Sequence, residues 1–166
     1  EPLREAERDG GTLRELRDTL SAPLPLIQLI GEMDWGEDSA VDYNYLRTPA
    51  GLDYVASYAQ GIGPWLSHIY LGRTASGSAH LSALVREAQA RGLVVHPYTF
   101  RRDELPAGLA SFAELLTIFI QQAGVDGLVD RLAILVVRHF RLPQHLARHL
   151  RRRVVEGRAG VVMHRD

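Results

Sequence analysis

The chain contains neither cysteine nor lysine; all 19 of its basic residues are arginine. Without cysteine there is no disulfide scaffold, no thiolate-bound zinc and no thiol nucleophile, and the redox compartment stays unreadable. No apolar run reaches the ~18 residues of a membrane-spanning helix. No phosphate-binding glycine loop, nucleophile elbow or zinc-protease helix is present, and Gly61-Ile-Gly63 is too short for a dinucleotide fingerprint. The first residue is Glu1 and no signal-like segment opens the chain, which reads as processed or partial. The remainder is ordinary. With 166 residues, 46% apolar and 23% charged, the chain has the size and composition of one globular domain.

The charge is divided unevenly. Residues 1–130 hold 10 arginines against 18 acidic residues, whereas residues 131–166 hold 9 arginines against Glu156 and Asp166 alone. Four of the seven histidines also fall in that last stretch. Such a shift suggests two kinds of segment joined near position 130.

Up to that point one grammar repeats: a capped helix, a glycine, a short apolar strand. Thr12-Leu-Arg-Glu15 and Ser111-Phe-Ala-Glu114 have capping-box form, and Thr48-Pro49 is an N-cap with a first-turn proline. Leu52, Val55, Ala56 and Ala59 lie at the offsets of one helix face; a third helix carries Leu81, Leu84, Val85 and Ala88. Leu24-Pro-Leu-Ile-Gln-Leu-Ile30 and Leu93-Val-Val-His-Pro-Tyr-Thr99 read as strands, and Val125-Asp-Gly-Leu128 as the last short one. Alternating helices and strands predict βα units on a parallel sheet of about four strands. A complete eight-stranded barrel needs ~250 residues, so the expectation is a small open α/β domain or part of a barrel. The loop over residues 31–47, with Trp35, Tyr43 and Tyr45, follows a strand and is long enough to carry function.

In a parallel α/β fold the chemistry lies beyond the carboxyl ends of the strands. Alternation puts Val94, His96 and Tyr98 on one face of their strand and Val95, Pro97 and Thr99 on the other. His96 is then either a pocket residue inside a barrel, with Tyr98 and Arg101 near its mouth, or a satisfied core histidine. Gln28 has the same two readings, because an unpaired polar group is costly to bury.

These residues carry a resemblance. Pro25-Leu-Ile-Gln-Leu-Ile30, Met33-Asp-Trp35, Asp42-Tyr-Asn-Tyr45, Tyr58-Ala-Gln-Gly-Ile-Gly-Pro64, Leu93-Val-Val-His-Pro-Tyr-Thr99 and Ala123-Gly-Val-Asp-Gly-Leu128 occur in that order. Over residues 10–128 the chain resembles the C-terminal half of glycerophosphodiester phosphodiesterases, above all the periplasmic bacterial type. The resemblance implies a partial TIM (β/α)8 barrel of about four C-terminal βα units over residues 1–128. It also implies a hydrolase that splits glycerophosphodiesters, small-molecule substrates, into an alcohol and glycerol 3-phosphate. Calcium or another divalent cation, and a periplasmic location, come with it. The family's His-Arg-Gly and Glu-x-Asp motifs are absent, so no catalytic or metal-ligating residue is carried over, and His68, His80 and His96 are not promoted to them. What carries over is the pocket wall: Tyr98, matching an aromatic at a strand end and suited to pack on glycerol, then Gln28, His96 and Arg101. The chain alone is expected to be inactive.

After Leu128 the pattern departs from the family and Val129-Asp-Arg-Leu-Ala-Ile134 follows. Residues 129–166 read as a non-family basic tail, the mark of a truncated or frame-shifted copy. Leu142, Leu146 and Leu150 step by four beside Arg148, Arg151, Arg152 and Arg153, a pattern open to a solvated tail or to anion binding. His145 and His149 have a metal-compatible spacing without an accompanying carboxylate. Nothing points to nucleic acid. The alternative to the enzyme is a small α/β binding module with a basic anion-binding tail.

Overall fold

Three parallel strands organise the fold: β1 (Ile27–Ile30), β2 (Gly61–Pro64) and β5 (Val94–Val95), hydrogen-bonded in the order β1-β2-β5. The computed structural model describes residues 11–19, 25–35, 41–129 and 134–136. A fourth strand, β6 (Gly127–Val129), runs beside the end of β5. Asp126 N–H donates to the Val95 carbonyl at 3.0 Å, Val129 N–H to Pro97 at 3.0 Å, and Phe100 N–H back to Val129 at 2.9 Å. The α/β class with a parallel sheet is therefore as read from the sequence. Among the described residues the sheet is open and does not close into a barrel.

Helices link the strands and cover one face. A short helix α1 (Gly11–Arg14) opens the described residues, and the capping reading of Thr12 and Glu15 concerns side chains outside them. Helix α2 (Tyr43–Leu46) is capped by Asp42, whose carboxylate accepts from Tyr45 N–H at 2.9 Å. Helix α3 (Pro49–Ala56) starts as its sequence requires: Thr48 Oγ1 accepts from Gly51 N–H at 3.1 Å and Pro49 occupies the first turn. Helix α5 (Phe112–Thr117) is capped by Ser111, which accepts from Glu114 N–H, while the Glu114 carboxylate accepts from Ala110 N–H at 2.8 Å. This is a capping box displaced by one residue at its return contact.

Helix α4 (Leu84–Ala90) corrects the reading that began at Leu81. Leu81 belongs instead to a hairpin of β3 (Tyr70–Arg73) and β4 (Ala79–Leu81), antiparallel and closed by reciprocal backbone bonds of Thr74 with Ser78 and Gly77. Ser82 separates strand from helix: its hydroxyl donates to the His68 carbonyl at 2.6 Å.

The core lies between helices and sheet. Ile30, Ile62 and Val95 face it from the strands, Leu52 and Val55 from α3, Ala88 from α4 and Leu115 from α5, all fully buried. Phe100 and Phe119 meet edge to face at 5.1 Å, a geometry worth ~0.5–1.5 kcal/mol beyond burial. The opposite sheet face is more open. Leu29 is 56% exposed there. On that face Ile27, Leu29 and Val94 lean over Gly61 and Gly63. A Cβ on Gly61 would stand 2.5 Å from Val94 Cγ2 and 2.7 Å from Ile27 Cδ1, and one on Gly63 2.6 Å from Leu29 Cδ2. The glycines of β2 thus let the flanking strands' side chains close across it.

Of the tail read from 129, residues Ile134–Val136 form β7, antiparallel to β6 with Leu128 opposite Leu135. This pairing ends the run of parallel strands. Leu142, Leu146, Leu150, His145, His149 and the arginines near them lie outside the described residues.

Candidate functional site

A cavity of about 370 Å³ opens at the carboxyl ends of β1 and β2, lined by Glu32, Met33, Asp34, Trp35, Asn44 and Trp65. The chain builds it from three segments. A 3-10 turn over Met33–Trp35 follows β1, α2 presents Asn44, and Trp65 is the residue immediately after β2. The two indoles meet edge to face, with ring centres 5.2 Å apart. Gly31 allows this: a Cβ there would stand 3.1 Å from the Trp35 ring and 3.3 Å from that of Tyr43, so glycine lets the indole lie against the backbone.

Behind Trp65 stands His68, its ring 6.1 Å away and nearly perpendicular. His68 is buried on a 3-10 turn (Leu66–His68), and its Nε2 is 2.8 Å from Glu32 Oε1. Burial, then the positive charge of Arg47, hold its pKa below the ordinary imidazole value, against the opposing pull of Glu32. Near neutral pH the ring is uncharged and the contact is a hydrogen bond donated by Nε2–H to a carboxylate. That tautomer leaves Nδ1 an acceptor, and Nδ1 is buried without a partner among the described residues. Arg47 donates to the Tyr43 carbonyl at 3.3 Å and to Asn44 Oδ1.

The residues singled out in the sequence do not converge on this cavity. Gln28 is buried on the helix side of β1, in register with Ile62 and Val95. Its Oε1 accepts from the Tyr58 hydroxyl at 2.9 Å and its Nε2 donates to the Leu29 carbonyl at 2.9 Å. Of its two readings, the internal hydrogen bond is the one observed. His96 follows β5 on the opposite face, in the row of Gly63, so the two residues are not brought together. Burial lowers the His96 pKa, partly offset by Asp126, and Nδ1 has no partner among the described residues. Tyr98 pairs with Trp65 by a parallel bridge, and its hydroxyl reaches across β2 to donate to the Ile30 carbonyl at 3.0 Å. It ties the sheet end beneath the cavity. Arg101 is held on its own loop by Asp103 at 2.8 Å and Glu104 at 2.6 Å.

The residues that do line the cavity went unselected, apart from Trp35 in its long loop. One signal was available: Trp35 and Trp65 are the two tryptophans of the chain, and each follows closely on a strand's carboxyl end. Among the described residues no three His, Asp or Glu side chains stand together so as to hold a metal ion. Among the described residues, Glu32 and Asp34 are the two carboxylates that line the cavity.

Residues 9–132 match the glycerophosphoryl diester phosphodiesterase family. The chain belongs to that family. Its relatives include the glycerophosphodiester phosphodiesterases of Haemophilus influenzae and Treponema pallidum, each 29% identical over 123 residues and covering 68% of this chain. One from Arabidopsis thaliana is 33% identical over 96 residues, 55% of this chain and 25% of its own length. The chain spans about a third of the two bacterial relatives, 34% and 35%. The family match takes in the three parallel strands, β6 and every residue of the cavity, and stops before β7. Among the described residues no helix is long and apolar enough to cross a membrane.

Proposed function

We propose that this chain supplies the C-terminal βα units of a glycerophosphodiester phosphodiesterase barrel, in which the cavity at the ends of β1 and β2 faces the substrate. The reaction is hydrolysis of a glycerophosphodiester to an alcohol and glycerol 3-phosphate. The observation that carries this reading is the coincidence of a family match with a cavity at the carboxyl ends of parallel strands, where such folds bind ligands. The row of Ile27, Leu29 and Val94 is then the barrel's inner face. The acid–base groups, and the carboxylates that would hold calcium or another divalent cation, belong to the remainder of the barrel. This chain alone is inactive, and the complete enzyme acts in the periplasm.

The test has two arms. The purified chain is incubated with glycerophosphocholine, with and without calcium, and glycerol 3-phosphate is measured; no release is expected, and turnover by the pure chain refutes its inactivity. Residues 25–129 then replace the matching segment of the Haemophilus influenzae enzyme. A folded chimaera that hydrolyses the substrate supports the reading, and a folded but inactive one refutes it.

A further inference from the structure

The turn over Met33–Trp35 is lightly held. It contains no buried residue, and Met33 and Trp35 are exposed. Its backbone bond, from Trp35 N–H to the Glu32 carbonyl, is long at 3.3 Å. Side-chain contacts join it to the segment after β2: Trp35 meets Trp65 edge to face, and Glu32 meets His68. A segment with so little buried area opens at low free energy.

The contact of Glu32 with His68 depends on a proton. The His68 side chain is 2% exposed and that of Glu32 26%, so the bond is made at the lip of the core. Nε2–H is the donor, and Nδ1 is buried without a partner among the described residues. A second proton would sit on Nδ1 as a donor with nothing to receive it, and a buried unpaired donor is costly. The charged groups that bear on the ring are Glu32, from the end of β1, and Arg47, from the end of α2; the first favours the added proton and the second opposes it. Trp65 faces it with an uncharged ring, and Ser82, after β4, reaches its backbone carbonyl. Burial and Arg47 outweigh Glu32, so the enclosed ring takes up a proton less readily than one in water.

We propose that His68 and Glu32 form an acid-released latch: when His68 gains its second proton, the ring leaves its pocket, the bond to Glu32 breaks and the Met33–Trp35 turn opens away from Trp65. This does not rest on the phosphodiesterase reading. One proton enters as the latch opens. The ratio of open to closed therefore rises by up to about tenfold per pH unit below about pH 6.5, until the closed form also takes up the proton.

The whole 166-residue chain is the test material. Both of its tryptophans stand at the latch, so acrylamide quenching of tryptophan emission reads its opening. From about pH 8 to about pH 5 the quenching constant should rise reversibly while far-ultraviolet circular dichroism stays level. His68→Gln keeps a side-chain donor and cannot take the proton, so it should abolish the rise. Arg47→Gln removes the charge that opposes the proton and should weaken the rise, whereas Arg47→Lys should retain it. His96→Asn should leave it unchanged. The proposal is overturned by a rise that survives His68→Gln, by equal rises in the two Arg47 variants, or by a rise lost in His96→Asn. It is also overturned if acid dims the emission without changing the quenching constant, or if the rise coincides with loss of circular dichroism.

Discussion

Gln28 tests how a buried polar side chain divides between fold and function. Its Oε1 accepts from Tyr58, which is itself buried at the end of α3 and meets Tyr54 edge to face at 5.4 Å. Tyr58→Phe keeps the ring and removes the donor to Gln28, leaving a buried carbonyl oxygen without the partner shown for it. Stranding such a group costs ~1–3 kcal/mol, more than the ~0.5–1.5 kcal/mol net worth of a paired hydrogen bond. Gln28→Leu is close in volume and removes the acceptor. In the double variant no polar atom of the pair is left behind, so it should be no less stable than Tyr58→Phe alone, with a non-additivity of ~1 kcal/mol or more. Urea unfolding of the whole chain measures this. With a slope of ~1–3 kcal/mol per molar urea, a loss of ~2 kcal/mol moves the midpoint by about 1 M. Strictly additive destabilisation would refute the assignment of Gln28 to the core.

Three further outcomes are expected. Gly61→Ala should lower stability by ~1–3 kcal/mol, because the new methyl meets the Val94 side chain and backbone at 2.5 Å; thermal unfolding reads it, and an unchanged midpoint would mean that the strands part freely there. Ser111→Ala should cost ~0.5–2 kcal/mol through loss of the Glu114 N–H contact, checked by denaturant unfolding. The third concerns acid. His68 and His96 are held below the ordinary value of 6.5 by burial, so as pH falls the unfolded state takes up protons first. Their contribution to stability is complete above about pH 6.5 and is lost as pH falls from there through the lower folded-state values. Unfolding measured down to about pH 5 should show that decline, and His96→Asn should flatten it; a slope unchanged by the substitution would assign the decline to other groups.

What could be read along the chain was local. The Thr48 and Ser111 caps, the face of α3 and the strands β1, β5 and β6 follow from contacts within a few residues, and those are what propensity and periodicity encode; β2 was not legible as a strand. The six family motifs were legible for a similar reason, since their order is a one-dimensional property. The hairpin of β3 and β4 was not, because Ala79-His-Leu81 continues into a helical pattern and the antiparallel partner that claims it lies on the far side of the turn. Gln28 and His96 could each be read two ways. Register fixes only their faces: β1 aligned on β2 sends Gln28 toward Tyr58, 30 residues on, and leaves His96 on the opposite face. The cavity depended most on tertiary structure. Glu32 and Trp35 leave the end of β1, Asn44 sits on α2 and Trp65 ends β2. The pairing of Ile30 with Pro64, and the Tyr98 hydroxyl on the Ile30 carbonyl, bring the two strand ends level. No periodicity or spacing specifies that alignment, because it is fixed by hydrogen bonds between strands whose sequences are more than thirty residues apart.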